Sequence, residues 1–309
     1  MNMSIHGLFI LGPRRSILIR MKFRSVLVIY NPNSTGRSRA NATEFKEQLL
    51  NAGFTGEIKL ISTRYAGHAE KLVADYANKE TLIVSSSGDG GYNEVVNGVI
   101  QEGSPAAVAV LPSGNANDHH TANTTGELIG NILIGKTTRL EALKVEASVD
   151  ESYWQRYAHS YVGFGLTPKV GKILTDKRPN ALTEKWYVLK HVFDFKHVTL
   201  IKDGDRHRYD NFICAVITRM SKVVKLDEYA SSDDGLMEVY ETKHLSLLEA
   251  VRTFYRAATS GIRNDSRVHA LTVTTVKPTL VQLDGEVFTI DADTDVVITC
   301  QKGILRTVL

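Results

Sequence analysis

Ser85-Ser86-Ser87-Gly88-Asp89-Gly90-Gly91-Tyr92-Asn93-Glu94-Val95-Val96-Asn97-Gly98 is the stretch from which the rest of the chain is read. A short apolar run at 81–85 enters it as a strand, and helix-period apolar spacing over 92–102 leaves it as a helix. Glycines at 88, 90 and 91 permit positive φ and close backbone approach, and the helix start turns its positive end on whatever sits there. These are the parts of an anion cradle, yet an acid stands among them. Asp89 as a plain helix cap is one reading, but it leaves the surrounding glycines unexplained. A carboxylate beside a bound phosphate implies either magnesium or a substrate hydroxyl that gives up its proton.

The same pattern extends on both sides. Strands are expected at 25–30, 58–62, 81–85 and 107–111, and helices at 40–52, 68–78 and 92–102. Strands separated by helices imply βαβ units and a mostly parallel sheet covered on both faces. Ligands of such sheets sit beyond the carboxyl ends of the strands. Two more loops lie there: Asn31-Pro32-Asn33-Ser34-Thr35-Gly36-Arg37-Ser38, and Leu111-Pro112-Ser113-Gly114-Asn115-Ala116-Asn117-Asp118-His119-His120. Neither is a Walker A loop, since no Gly-Lys-Ser/Thr occurs. Adjacent His119 and His120 would point in different directions, and no second ligand cluster is visible, which disfavours zinc.

Past about residue 139 the period changes to alternation. Strands at 142–147, 154–162, 212–218, 237–241, 271–276, 279–283 and 295–299, with helices near 183–195 and 246–262, predict an antiparallel β domain. The expected division is 21–140 for the α/β part and 141–309 for the β-rich part, with the last residues able to return to the first. No linker separates them, so a cleft between closely packed domains is expected. Residues 1–20 read as a disordered tail or an upstream start before Met21, with a weak interfacial anchor as the alternative.

Composition limits the function classes. The 309 residues suffice for two cores, and 43% hydrophobic with 23% charged residues excludes wholesale disorder and a polytopic membrane protein. Thirty-seven Lys/Arg against 34 Asp/Glu leave +3, too little for nucleic-acid binding by bulk charge. Cys214 and Cys300 each fall in a strand-like run, which suits inert thiols in a reducing compartment and excludes a disulfide framework. A cytoplasmic protein is expected.

Asn-Pro-x-Ser, Ser-Gly-Asp-Gly-x-x-Asn-Glu-Val-Val-Asn-Gly and Pro-x-Gly-x-Ala-Asn-Asp, in that order and spacing, resemble the diacylglycerol kinase catalytic domain family. That family includes bacterial soluble diacylglycerol kinases, YegS-like lipid kinases and sphingosine kinases, and the resemblance runs from residue 22 to about 304. It implies an NAD-kinase-like α/β nucleotide-binding domain followed by a β-rich sandwich domain, with the active site in the cleft between them. It also implies an ATP- and magnesium-dependent lipid kinase acting on a hydroxyl of diacylglycerol or a related lipid.

Carried over residue by residue, the nucleotide contacts would be Asn31, Pro32, Asn33, Ser34, Thr35, Thr63, Ser87, Gly88, Asp89, Gly90, Gly91, Tyr92, Asn93 and Asn115. Asp284-Gly285-Glu286 alone reads as a tight hairpin; the resemblance makes Glu286 the base that takes the lipid hydroxyl proton, with Asp89 competing for that role. Asp233-Asp234-Gly235 alone reads as a turn; the resemblance implies magnesium held by the Ser231 carbonyl, the Asp234 carboxylate and the Leu236 carbonyl.

This sequence departs from the family pattern at Ser87, a usual Gly; at Gly91 and Asn115, usual Thr; at Thr35, a usual Gly; and at His119, a usual Phe. Losing two hydroxyls near the phosphates removes about 1 kcal/mol of net hydrogen bonding each. Those changes keep a catalytically impaired nucleotide- or lipid-binding member, and a sphingoid-base kinase, as alternatives. NAD kinase is disfavoured because Asn93 and Glu94 directly follow the loop and Asp284-Gly285-Glu286 lies near the end of the chain.

Between Lys169 and Arg208 there are ten Lys/Arg against five acids, interleaved with Trp186, Tyr187, Phe193 and Phe195. Either a helix packs its apolar side and solvates its basic one, or this stretch meets an anionic bilayer as a peripheral contact at the inner face of the membrane. A dimer is compatible with the sequence, and nothing in it fixes the oligomeric state.

Overall fold

A computed structural model describes residues 23–124, 126–169, 197–220, 224–226, 234–243, 249, 252, 256, 259, 261–262 and 265–309. The expected basic and aromatic helix at 183–195, most of that at 246–262, and Ser231 lie outside these residues.

The first half follows the predicted alternation: β1 (Ser25–Tyr30), α1 (Ser38–Asn51), β2 (Glu57–Ser62), α2 (His68–Tyr76), β3 (Thr81–Ser87), α3 (Asp89–Gln101) and β4 (Ala107–Pro112). The strands pair in parallel in the order β4-β3-β1-β2. Both faces are covered, as continuous apolar strands require. Val26, Val28, Leu82 and Val84 pack under α1, while Leu27, Ile29 and Ile83 pack under α2 and α3. Two short helices absent from the sequence reading follow, α4 (Asp118–Asn123) and α5 (Leu128–Ile134).

The second half is built from β5 (Thr138–Val149), β6 (Ser152–Ala158), β7 (Tyr161–Gly165), β8 (Val198–Lys202), β9 (Asp205–Ala215), the short pair β10 (Arg219–Met220) and β11 (Val224–Lys225), β12 (Met237–Lys243), β13 (Ser266–Val268), β14 (Ala270–Thr275), β15 (Thr279–Leu283), β16 (Glu286–Ile290) and β17 (Asp295–Thr307). The ladder closes over one core, where Leu143, Phe164, Phe212, Val239, Val281 and Ile298 meet from six strands. Both cysteines are buried as free thiols.

Two strands differ from expectation in ways that shape the site. The single strand predicted over 154–162 is two, β6 and β7, broken at His159-Ser160. β17 is longer than predicted. It pairs with β14 and β5, then reaches β4 through Thr307 opposite Val108, and the Val308 N–H donates to the Val108 carbonyl at 2.8 Å. One continuous ladder therefore carries the parallel and antiparallel parts.

Candidate active site

Three loops at the carboxyl ends of β1, β3 and β4 are sewn together by small side chains. Gly36 N–H donates to the Ser113 carbonyl at 2.8 Å, Ser34 Oγ donates to the same oxygen, and Asn41 Nδ2 donates to Ser113 Oγ at 2.9 Å. Ser86 Oγ donates to the Ser38 carbonyl at 2.8 Å, and Ser113 N–H to the Ser87 carbonyl at 2.9 Å. A Cβ on Gly114 would lie 2.3 Å from the Gly88 Cα, so the second and third loops touch backbone to backbone. Thr63 joins this end of the sheet through its N–H on the Tyr30 carbonyl, 2.9 Å. Neither α1 nor α3 has a side-chain cap. Two helix N-termini with uncapped N–H groups thus border the loops, which favours an anionic ligand.

The sequence reading starts α3 at Tyr92, whereas the helix begins at Asp89, with Gly88 in the cap position. Asp89 is therefore not the cap. Its Oδ1 accepts the His119 N–H at 3.3 Å from the third loop. Burial first, then the neighbouring Asp118 and Asp284, push its carboxyl up to about 7.

Two residues expected to touch a nucleotide turn their side chains inward instead. Tyr92 is fully buried, its ring packed at a tilt against those of His119 and His159 at centroid distances of 4.9 and 4.7 Å. Asn93 is also fully buried, and its Nδ2 donates to the Tyr157 carbonyl at 2.7 Å and to Asp284 Oδ2 at 2.9 Å. Asn93 thus ties α3 to β6, and Tyr92 packs α3 against α4 and the β6–β7 corner. His119, read as an unusual replacement, fills the core beside Tyr92. Burial holds both it and His159 neutral, His159 being lowered to about 3.

Ser87 and Gly91 form a matched pair. A Cβ on Gly91 would meet Ser87 Oγ at 2.6 Å, so the Ser87 hydroxyl takes the room a side chain at 91 would need. That hydroxyl is buried at the end of β3, bonded to Ser85 Oγ at 2.7 Å and donating to the Gly88 carbonyl at 3.0 Å.

The β15–β16 hairpin delivers Glu286 from the other half. Its Oε1 would lie 2.5 Å from a Cβ on Gly90, which sets the carboxylate against the first turn of α3. Burial raises the Glu286 carboxyl, Glu94 raises it further, and Arg156 lowers it. Arg156 bonds Glu70 of α2 at 2.7 Å and lies over the Phe288 ring, and Phe288 also packs on Trp154. At the hairpin tip, Asp284 accepts four N–H groups, a role sequence reasoning missed: its Asp-Gly signal spoke only of a turn.

The Asp234 carboxylate already has partners. Oδ1 accepts the Leu236 N–H at 2.9 Å, and Oδ2 pairs with Arg267, which also bonds the buried Glu238 at 3.2 Å. Of the expected magnesium ligands Ser231 lies outside the described residues, and Asp234 keeps lone pairs beside these two partners. Among the described residues no other cluster of acids, histidines and cysteines is placed to hold a metal, and no helix is long and apolar enough to cross a membrane.

Residues 25–145 match the diacylglycerol kinase catalytic domain family. Over 278 residues the chain is 26% identical to a diacylglycerol kinase of Bacillus subtilis (strain 168), covering 84% of this chain and 88% of that protein. Over 281 residues it is 23% identical to a diacylglycerol kinase of Staphylococcus saprophyticus, with the same coverage. A crystal structure of a diacylglycerol kinase from Bacillus anthracis superposes with a TM-score of 0.65 at 18% identity, covering 93% of this chain and 97% of that one. Yeast NADH kinase complexed with NADH superposes with a TM-score of 0.51 at 12% identity, covering 91% and 79%. The two solved structures speak to the fold, which is that of diacylglycerol and NAD(H) kinases.

Proposed function

We propose that this chain, which belongs through residues 25–145 to the diacylglycerol kinase catalytic domain family, is a lipid kinase that moves the γ-phosphate of magnesium-bound ATP to a hydroxyl of diacylglycerol or a related lipid. The observation that carries the reading is the meeting of two halves: the uncapped start of α3 and the Glu286 carboxylate share one spot, at Gly90. Phosphoryl transfer needs that pairing, a cradle for anionic oxygens and a carboxylate for the incoming hydroxyl's proton.

In this reading the loops at Asn31 to Thr35, Ser87 to Gly91 and Asn115 hold the nucleotide phosphates through backbone N–H groups and small side chains, with Thr63 at the same sheet end. Tyr92 contributes backbone alone, and Asn93 braces α3. Glu286 accepts the proton of the acceptor hydroxyl. Asp89 faces the cations that accompany ATP. The magnesium of the co-substrate spreads charge developing on the phosphoryl oxygens. The division near residue 140 then separates a nucleotide half from a half carrying the base and the acceptor. A lipid acceptor places the enzyme at the inner face of the membrane while it turns over.

Incubation with labelled ATP, magnesium and vesicles containing diacylglycerol, a sphingoid base or neither tests this. Label is expected in a diacylglycerol-type lipid. Nucleotide binding with no transfer to any lipid would remove the catalytic reading, and label in the sphingoid base alone would move the acceptor.

Gly90 offers a narrower test. Alanine in this first turn favours the helix by up to about 1 kcal/mol, yet its Cβ would push the flexible Glu286 carboxylate from its place. Gly90→Ala is expected to keep or raise Tm while turnover falls roughly tenfold. Thermal melts beside initial rates check it.

A further inference from the structure

We propose that Asp284 is a positioning residue, whose buried carboxylate is gripped by N–H groups of α3 and the β6–β7 corner and thereby holds Glu286 against the first turn of α3. The inference rests on the reading of Glu286 as the base.

Asp284 is only 1% exposed, and each of its oxygens accepts two N–H groups. Oδ1 takes those of Ser160 and Tyr161, both at 2.9 Å. Oδ2 takes that of His159 at 2.6 Å and Asn93 Nδ2 at 2.9 Å. The Asp284 N–H in turn donates to the Tyr161 carbonyl at 3.3 Å. Three parts of the molecule converge on one side chain: the hairpin tip that carries Glu286, the helix that opens the phosphate cradle, and the backbone break between β6 and β7. The strand is interrupted where its N–H groups turn to the carboxylate.

Burial pushes the Asp284 carboxyl up, to about 7, and the donors pull it down. Since all four hydrogen bonds to its oxygens come from donors, the charged form is the one these surroundings accommodate.

The turn itself does not require an acid. Asp284 and Gly285 both have positive φ, 51° and 112°, in a two-residue hairpin between Leu283 and Glu286, and Asn-Gly suits such a turn as well as Asp-Gly. An amide at 284 would keep the turn but aim an NH2 group at two of the four donors. Asp284→Asn therefore separates the grip from the turn.

The expected result for Asp284→Asn is a turnover lowered by roughly 30-fold with KM for ATP held within about threefold, because a misplaced base costs the chemical step and not nucleotide binding. The acid limb of the turnover profile should also move to lower pH. Glu286 would leave the buried place that raises its carboxyl, where Glu94 of α3 and Arg156 of β6 are the charged groups facing it. Carboxyl carbon NMR of Glu286 in the substrate-free protein should show the same downward shift without any activity assay.

Wild-type turnover in Asp284→Asn, or lost turnover with an unmoved Glu286 titration, would overturn the proposal. If Asp284→Asn does not fold, Asn93→Ala removes one donor and should move the Glu286 titration in the same direction by less; an unmoved titration there also overturns it. Should the wild-type protein phosphorylate no lipid, the kinase reading falls, and the NMR titration still decides whether Asp284 positions Glu286.

Discussion

Glu286→Gln is expected to lower phosphoryl transfer on the order of 1,000-fold while leaving ATP binding within a factor of about two. Glutamine has the shape of glutamate and can still lie against Gly90, so the loops of the first half keep their geometry. It cannot take a proton. The whole loss should therefore appear in turnover, with nucleotide affinity, read by titration calorimetry, unchanged. The wild-type rate should carry an acid limb above the ordinary glutamate range, because burial and Glu94 hold the Glu286 carboxyl up against the pull of Arg156. The base must be ionised to work, so turnover falls as pH drops through that raised value. The part of the limb due to Glu286 should vanish in Glu286→Gln, leaving that of Asp89. A variant that keeps turnover within tenfold of wild type would instead hand the role to Asp89.

The parallel half is readable because its signals are local. Apolar runs of strand length alternate with helix-period segments, and β1, α1, β2 and β4 lie within about two residues of their expected bounds. The start of α3 is not. Asp-Gly-Gly has poor helix propensity, and the helix begins there because the following residues lock it to the sheet and to β6. The break at His159-Ser160 is invisible for a different reason. Its partner, Asp284, is about 125 residues away in sequence, and no local propensity marks it.

Site residues divide the same way. The glycines and the acid of the second loop announce a cradle on their own, and Glu286 is found through the resemblance of its tripeptide. Tyr92 and Asn93 point to the core because their partners, Tyr157, His159 and Asp284, come from distant parts of the chain, which no local pattern reveals. The pairing of Ser87 with Gly91 is likewise spatial: each alone looks like a departure, and only the room that Ser87 Oγ takes from any side chain at 91 links them.

Asp89→Asn is expected to separate stability from activity. The Asp89 carboxyl is pushed from an ordinary 3.8 up to about 7 by burial and by the nearby charges of Asp118 and Asp284. The folded state therefore holds a proton more tightly than the unfolded chain does. Below about pH 4 both states carry it and Asp89 costs nothing; the cost grows as pH rises to 7 and is complete above that. Asparagine can still accept the His119 N–H and never ionises. Above pH 7 it should stabilise the protein by on the order of 2 kcal/mol, a Tm gain of a few degrees at pH 8 that disappears near pH 4. Turnover should fall by about 100-fold at pH 8, where the wild-type carboxylate that faces the cations of ATP is ionised, and the gap should narrow as pH drops below 7. A buried acid kept at a cost in stability is the pattern of a functional site. Melts at pH 4 and pH 8, run beside rates, test both halves at once. If the Asp89→Asn variant is no more stable than wild type at pH 8, Asp89 is already relieved of its charge penalty by a partner in the folded state. Full turnover would show that the cradle works without its acid.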